Sequence, residues 1–516
     1  MLATAHTMAL VGLSPHPVRV EVHSGRGTAS FDVVGLPEAT VRESRVRVRA
    51  ALGQIGVPLH SHALTVNLAP ADLRKIGSVF DLAIALGTLA AVGGMDGLLL
   101  SDTLFLGELS LTGAIHPVRG VLPRLVGAAA HGFHRAVVPR ANGAEAAIVA
   151  RAEGLEVLVA DDLASVVAFL RGEGALSAAE PSGTEVHDPV ADLSDVRGQP
   201  SARQALEIAA AGGHDLLFVG PAGAGKTMLA RRMPGLLPPL SDEEALVVTA
   251  IHSVAGALPE GHGLVRTRPF RWPHHSVSDA GLLGSGDPPR PGEVSLAHDG
   301  VLFLDELPEF RRSAIDGLRQ PLEDGAIRIT RAKSSATFPA RPMLLAAMNP
   351  CPCGWNGFDG VRVCTCTTDR VRHYRARVSG PILDRIDLQL RVEPVHVAAL
   401  VGPPGREECT SVVRRRVLAA RAMQAERWAR GETSASTNAR LAPRDLERVA
   451  APDATGRAVL EALLGQRGMS ARAYGKVLRV ARTLADLQGR TAITSQDLLQ
   501  AADFRVLDRP IDAEAA

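Results

Sequence analysis

The sequence has almost no net charge. Its 516 residues carry 56 Lys and Arg against 55 Asp and Glu, a formal net charge of +1 at neutral pH. That balance excludes a protein working through a basic tail or a uniformly basic exterior, while leaving room for a local positive channel on a neutral body. Lysine is nearly absent. Lys75, Lys226, Lys333 and Lys476 are its four occurrences, so the positive charge rests on arginine. No stretch of about 18 apolar residues runs free of charge, which argues against a membrane-spanning helix. Val79 to Gly94 comes nearest, but Asp81 and its glycines fit a core helix better. The first residues do not have the charged start and apolar run of a secretory leader, so the expectation is a cytoplasmic protein with no membrane partner. Cysteine is also scarce: five in all, four of them within sixteen residues. In a reducing compartment such clustering points to a metal rather than to disulfides.

Hydrophobic residues make up 46%, enough for several cores, and at roughly 150 residues per domain the length suggests about three domains. The expected fold class is α/β. Residues 1–171 alternate short apolar runs with Gly and Pro. Val18 to Val22 and Ala63 to Leu68 have the period of strands, and Asp81 to Ala91 reads as a helix. Residues 172–189, rich in Gly, Ser, Ala, Glu and Pro, read as a linker. Residues 190–395 form a second α/β unit, with a helix over Ala202 to Ala211 and a buried strand over Asp215 to Val219. Two long polar stretches interrupt it, Pro259 to Glu293 and the Cys-rich insertion 350–368. Insertions of that length are usually functional. Residues 396–516 turn helical: Arg414 to Arg430, Pro443 to Ala450, Thr455 to Arg467, Ala471 to Gln488 and Ser495 to Phe504.

The most informative string is Gly220-Pro221-Ala222-Gly223-Ala224-Gly225-Lys226-Thr227. It follows an apolar strand and opens a helix, the setting a phosphate-binding loop requires. The glycines let backbone N–H groups curl around phosphate oxygens, Lys226 supplies charge to the β- and γ-phosphates, and the Thr227 hydroxyl would bind Mg²⁺. Downstream, Val301 to Leu304 is a buried strand ending in Asp305-Glu306. Asp305 would hold the metal and Glu306 would polarise the attacking water. A third strand, Met343 to Met348, ends at Asn349, placed to orient that water. ATP and Mg²⁺ are therefore the expected ligands. Cys351, Cys353, Cys364 and Cys366 make two close pairs suited to structural Zn²⁺, the alternative being four free thiols. Trp355, Phe358 and Arg362, on the loop between the pairs, are candidates to touch DNA or a neighbour. Cys409 stands alone as structural. His274 and His275 have no acidic or Cys neighbour at ligand spacing and read as packing or pore contacts.

The order of these motifs resembles an AAA+ ATPase. Within that class, four strings resemble the magnesium-chelatase-like family that includes the ComM (YifB) proteins: Arg268-Pro-Phe-Arg-Trp-Pro-His-His-Ser276, Pro291-Gly-Glu-Val-Ser-Leu-Ala-His-Asp-Gly300, Ala347-Met-Asn-Pro-Cys-Pro-Cys-Gly354 and Ser379-Gly-Pro-Ile-Leu-Asp-Arg-Ile-Asp387. The resemblance runs from about Ala9 to Ala502. It implies an AAA+ core over 190–395 with a helical lid over 396–516. It also implies that Arg385 is an arginine finger reaching a neighbour's γ-phosphate, the competing reading being a salt bridge to Asp384 or Asp387. Arg472 becomes the second sensor on the lid. The implied assembly is a homohexamer.

Gly325 to Ala340 reads as a hairpin, with a strand over Ala326 to Thr330 and a turn over Arg331 to Ala336. The segment Ile329 to Pro350 resembles the pre-sensor hairpin of the minichromosome maintenance helicases, which implies that Arg331 and Lys333 face DNA in a pore. The competing reading is a solvated tip. Pro70 to Ser78 and Gly107 to Pro117 resemble the Lon-protease fold, but Val79 and Leu122 fall where its nucleophile and Lys belong. A Ser78 without a base is not activated, so a non-proteolytic relative is expected. These resemblances imply a ring motor on single-stranded or branched DNA, a helicase or branch-migration enzyme promoting recombination in natural transformation. The alternative is a chelatase-type ATPase that drives metal insertion through a partner protein.

Overall fold

The computed structural model describes residues 1–152, 154–181, 191–331, 334–358, 362–395, 407–467 and 471–508. Lys333 and the second part of the predicted linker, from 182 on, lie outside the described residues. The first part of the chain builds an eight-stranded mixed sheet. Its order is Ser177–Ala178, Glu156–Ala160, Arg135–Pro139, Thr103–Phe105, Leu2–Val11, Ser14–Arg26, His62–Ala69, Ser30–Val34. Ser177–Ala178 falls in the stretch read as a linker, yet it pairs antiparallel with Glu156–Ala160. Two residues of edge pairing carry too little apolar pattern to be visible in sequence. Helices Ala39–Gln54, Asp81–Ala91 and Val121–Ala130 cover the sheet and close one hydrophobic core.

The second unit is a five-stranded sheet ordered Phe270–Arg271, Val301–Leu304, Met343–Met348, Leu216–Val219, Leu388–Arg391. Every pairing in it is parallel. Val301–Leu304, Met343–Met348 and Leu216–Val219 are buried at every residue. Alternate side chains point to opposite faces, so a strand of continuous apolar residues must be covered on both sides. Leu216, Phe218, Val301, Phe303, Leu345 and Ala347 face a cluster that includes the Pro200–Gly212 helix and the C-terminal helices. Leu217, Val219, Leu302, Leu304, Leu344 and Ala346 face the insertions, including Ile327, Ile329 and Phe338 of the hairpin. The strand Phe270–Arg271 was not foreseen. It is two residues long, sits inside the polar Pro259 to Glu293 stretch, and forms the edge of the sheet beside Val301–Leu304.

The hairpin lies within the expected Gly325 to Ala340, but its strands reach further toward the tip. Ala326–Arg331 pairs with Ser334–Pro339, in a register joining Arg331 to Ser334, so residues read as turn belong to strands. The two units meet on the helix Asp242–Ala255. Its Leu246 and Ala250 pack into the first core, Ser253 donates its hydroxyl hydrogen to buried Glu145, and the Gly120 N–H donates to the Ser253 carbonyl at 3.3 Å. Leu13, next to the turn after the first strand, packs into the cluster under the hairpin.

The C-terminal helices Thr410–Ala429, Pro443–Val449, Ala454–Arg467, Ala471–Leu487 and Ser495–Asp503 share the core of the parallel sheet. A buried ionic cluster pins them. Arg427 grips Asp486 with two hydrogen bonds of 2.8 and 2.6 Å, while Asn438 Nδ2 (2.8 Å) and Arg482 (3.0 Å) bind the same carboxylate. Asp486 and Arg482 are both fully buried. Asp486→Ala would leave two guanidinium groups without their counter-charge. We expect it to destabilise the folded chain by about 3–5 kcal/mol, read as a lower urea or thermal midpoint.

Candidate nucleotide site

Three neighbouring strands of the parallel sheet deliver the site from their carboxyl ends, where open α/β sheets place ligands. Leu216–Val219 runs into the loop, Val301–Leu304 into Asp305-Glu306, and Met343–Met348 into Asn349. Gly223 and Gly225 have φ of +80° and +86°, a conformation that side chains with a Cβ rarely adopt, and a Cβ on Gly220 would overlap the Val392 carbonyl. The loop therefore closes tightly over the start of the helix that begins at Lys226.

Lys226 lies back along this loop. Its Nζ donates to the carbonyls of Gly220 (2.7 Å) and Pro221 (2.8 Å) and to Asn349 Oδ1 (3.1 Å). Burial pushes its ammonium down to about 8, while the nearby Asp305 and Glu306 oppose that shift. The Thr227 hydroxyl donates to Asp305 Oδ2 at 2.7 Å, so the two expected Mg²⁺ ligands already touch. This hydroxyl–carboxylate pair and the glycine cradle fit a magnesium nucleotide. When bound, Mg²⁺-ATP supplies the scissile phosphoryl group. Lys226 would then bind its terminal phosphates, Thr227 and Asp305 would hold the metal, and Asn349 and Glu306 would be the groups to orient and polarise the attacking water.

Glu306 sits in a left-handed conformation, φ +55°, with its N–H held by Asp305 Oδ1 at 3.0 Å. Its half-exposed carboxylate meets His275, Nδ1 to Oε2 3.3 Å. The sequence reading gave His275 a packing or pore role. The two-residue strand that carries its loop to Glu306 was the missing information. Nearby, Arg231 on the nucleotide-loop helix stacks 4.7 Å from the Trp272 ring, which leans on Phe303.

Arg385 and Arg472 lie elsewhere. Both line a cleft of about 970 Å³ with Asp215, Glu323, Asp384 and Lys476, and no residue of the phosphate loop borders it. Asp215 immediately precedes Leu216–Val219, so this cleft opens at the end of that strand opposite the loop. Arg385 binds the Leu322 carbonyl and Glu323, the latter at 3.5 Å, rather than Asp384 or Asp387. Arg472 is the group that pairs with Asp384, at 3.6 Å. Lys476 binds the Arg385 carbonyl and Asp387 (3.1 Å), and His214 joins Asp387 to Thr483 with contacts of 3.0 and 2.8 Å. Burial works against the Asp387 carboxylate, but Lys476 and His214 outweigh it and hold the group well below the usual range. The arginine end of the chain is thus tied to the lid helix Ala471–Leu487.

The cysteines form one cluster. All four Sγ atoms lie within 4.8 Å of one another, with separations of 3.3 Å (Cys351–Cys353), 3.5 Å (Cys353–Cys364) and 3.8 Å (Cys351–Cys364). Tetrahedral Zn²⁺ with bonds of about 2.3 Å needs sulfurs roughly 3.8 Å apart, so the donor set fits that ion. The N–H groups of Asn356 and Cys366 point at Cys351 and Cys364. Arg375 ties the cluster to the Asn349 strand through the Pro350 carbonyl, and Gly354 lies beside Pro221 of the phosphate loop. Phe358 is buried beneath Arg391, which removes it from the surface contacts expected of this loop, while Arg362 caps the Trp355 ring. Cys409 is not part of the cluster; its thiol contacts the Ser411 hydroxyl at 3.1 Å.

On the hairpin, Arg331 Nη2 donates to Ser285 Oγ at 2.6 Å. Ser285 lies in a second small hairpin, Gly284–Ser285 with Arg290–Pro291, whose Asp287 pairs with Arg74 of the first unit. In that unit the Ser78 hydroxyl donates to the Glu108 carboxylate, a partner the sequence reading did not see. Lys75 is buried on the Pro70 carbonyl, its ammonium lowered by that burial, while Val79 and Leu122 are core residues.

Comparison with known proteins agrees along the chain. The family described as "Magnesium chelatase, subunit ChlI" matches residues 192–400, "Subunit ChlI of Mg-chelatase" matches 20–142, and "Magnesium chelatase, subunit ChlI C-terminal" matches 407–505. The protein YifB of Escherichia coli K12 is 42% identical over 510 residues, covering 98% of each chain. Competence protein ComM of Haemophilus influenzae is 42% identical over 517 residues, again covering 98% of each. With the parallel sheet, the phosphate loop and the paired carboxylates in place, the chain belongs to the magnesium-chelatase-like ComM/YifB family of AAA+ ATPases.

Proposed function

We propose that this ATPase is a homohexameric ring motor on single-stranded or branched DNA, acting as a helicase or branch-migration enzyme that promotes recombination during natural transformation. The observation that carries this reading is the hairpin Ala326–Pro339 between the Asp305 and Asn349 strands, with Arg331 at its exposed end. Six copies would concentrate arginine on one axis, so a chain of net charge +1 could grip phosphates without a basic exterior. The separation of Arg385 and Arg472 from the phosphate loop supports assembly. Arginines at the far end of the sheet serve hydrolysis when a neighbouring subunit presents them. The name of the Haemophilus relative supports the link to competence. The alternative, a chelatase-type ATPase acting through a partner protein, is favoured by the family description. Single-stranded and branched DNA should stimulate hydrolysis if the chain is a DNA motor, and should leave it unchanged if the motor serves metal insertion.

In purified protein, Lys226→Ala should reduce ATP turnover by more than about a hundredfold, through loss of charge on the phosphates. Glu306→Gln should retain bound ATP without turning it over, measured as nucleotide that survives gel filtration. Metal analysis should find about one Zn²⁺ per chain, lost when Cys351 and Cys364 are replaced. Because the cluster abuts both Asn349 and the phosphate loop, turnover should fall with it. Arg331→Ala with Lys333→Ala should weaken DNA binding and flatten its salt dependence by ~0.7 per lost contact, with basal hydrolysis largely kept. Unchanged binding across a salt titration would move the DNA contact away from the hairpin.

A further inference from the structure

Asp387 is held from two sides. Its Oδ2 meets His214 Nδ1 at 3.0 Å, and its Oδ1 meets Lys476 Nζ at 3.1 Å. His214 lies just before the strand Leu216–Val219 that leads to the phosphate loop, and Lys476 lies on the lid helix Ala471–Leu487. The other ring nitrogen of His214, Nε2, returns to that helix at Thr483 Oγ1, 2.8 Å away. Lys476 and Thr483 sit two turns apart on one face of the helix. All four side chains are buried. Such charges are costly to bury, and removing one partner of a buried pair leaves the other uncompensated.

The same lysine reaches the arginine that precedes Asp387 by two positions. Its Nζ also donates to the Arg385 carbonyl. Arg472 lies one turn before Lys476 on the lid helix and pairs with Asp384, 3.6 Å away. Two side chains of the lid therefore clasp the short segment Asp384 to Asp387 on either side of Arg385. The Arg385 guanidinium is not fully engaged within its own chain. It holds the Leu322 carbonyl and Glu323, while its buried Nε–H has no hydrogen-bond partner among the described residues. A buried donor left unpaired is costly, and an oxygen presented by a ligand would satisfy it.

We propose that Lys476 is a positioning residue for hydrolysis in the neighbouring subunit: by holding Asp387 and the Arg385 backbone against the lid helix, it presents Arg385 and Arg472 as one unit to the neighbour's nucleotide. This rests on the reading that a neighbouring subunit receives these arginines. Lys476 acts through a carbonyl and a carboxylate of one short segment, so a displacement of the lid moves both guanidinium groups together. Without the ammonium, Asp387 keeps His214 alone and the Arg385 carbonyl loses its donor. Arg385 is then free to stray, and a misplacement of ~1 Å in a group that stabilises transferring charge costs on the order of a hundredfold in rate. The subunit's own phosphate loop, at the other end of the Leu216–Val219 strand, still binds ATP as before.

The test uses the full-length chain, alone and in mixed assemblies. Lys476→Met, close to lysine in length but uncharged, should lower kcat for ATP about ten- to a hundredfold with KM near wild type. Lys476→Arg, which keeps the charge, should recover part of the turnover. Lys476→Met is then mixed in equal amounts with Lys226→Ala. The first supplies an intact phosphate loop and the second an intact Arg385, so an interface that joins them is complete. With free mixing, turnover should rise to about a quarter of wild type, above either parent. Arg385→Ala mixed with Lys226→Ala is the reference and should be rescued in the same way. A wild-type kcat in Lys476→Met overturns the proposal. So does a fall in kcat that mixing leaves unrescued while the Arg385→Ala pair is rescued, because Lys476 then serves its own subunit. If Arg385→Ala keeps wild-type turnover or is not rescued, the reading of a neighbour-served arginine is wrong and the inference falls with it. Should Lys476→Met fail to assemble, Lys476→Gln, which keeps a donor for the Arg385 carbonyl, is mixed and judged by the same outcomes.

Discussion

Everything in the ATPase half of this chain depends on a small parallel sheet that is apolar on both faces. Its three central strands are four to six residues long and buried throughout. Such a sheet is stable only when both faces are covered. The lid helices and the Pro200–Gly212 helix cover one face, and the insertions with their hairpin cover the other. The phosphate loop, the Asp305-Glu306 pair and the Asn349 turn emerge along one edge of this layer. The hairpin and the lid therefore pack on opposite faces of the same strands that lead to the nucleotide site.

Charge is arranged to suit that design. A chain with so little lysine uses arginine for its structural ion pairs, and arginine holds carboxylates in bidentate fashion. Arg427 on Asp486 fixes the lid, Arg271 on Glu293 fixes the short outer strand, and Arg74 on Asp287 ties the first unit to the second small hairpin. Two of the four lysines occupy chemically distinct positions. Lys226 lies among phosphate-loop carbonyls, and Lys476 bridges the Arg385 backbone to buried Asp387. The two ends of the ATPase unit are each organised around one compact ammonium group.

The first unit is joined to this machinery by packing as well as charge. Leu246 and Ala250 insert into its core, and Ser253 meets the buried Glu145 carboxylate, which burial raises above its ordinary value while the Ser253 hydroxyl opposes that shift. Its Ser78 faces Glu108, so a residue at the edge of a protease-like motif is engaged in a hydrogen bond to a carboxylate. That unit touches the helix, the hairpin base and the second hairpin at once, which places it beside the elements that lead to Glu306.

Much of the nucleotide site was legible because it is written in contiguous strings. Gly220 to Thr227, Asp305-Glu306 and Asn349 each follow an apolar strand, and local chemistry specifies what each string does. The long helices were legible for the same reason, through their 3.6-residue period. Three features were not. The strand Phe270–Arg271 is too short to show a period, the start of the second hairpin strand, Ser334–Pro339, is polar enough to look like a turn, and Ser177–Ala178 pairs at an edge without an apolar signal. The partners of single side chains were equally hidden. Spacing brought the four cysteines together, but it could not show that Arg385 would bind Glu323, that Arg472 would bind Asp384, or that His275 would reach Glu306. The sequence by itself determined the class of chemistry, since a phosphate loop is a local object made of consecutive residues. The tertiary structure decided which end of the sheet each arginine occupies and which side chain holds Glu306, because those contacts arise from strand order and burial between segments far apart in the chain.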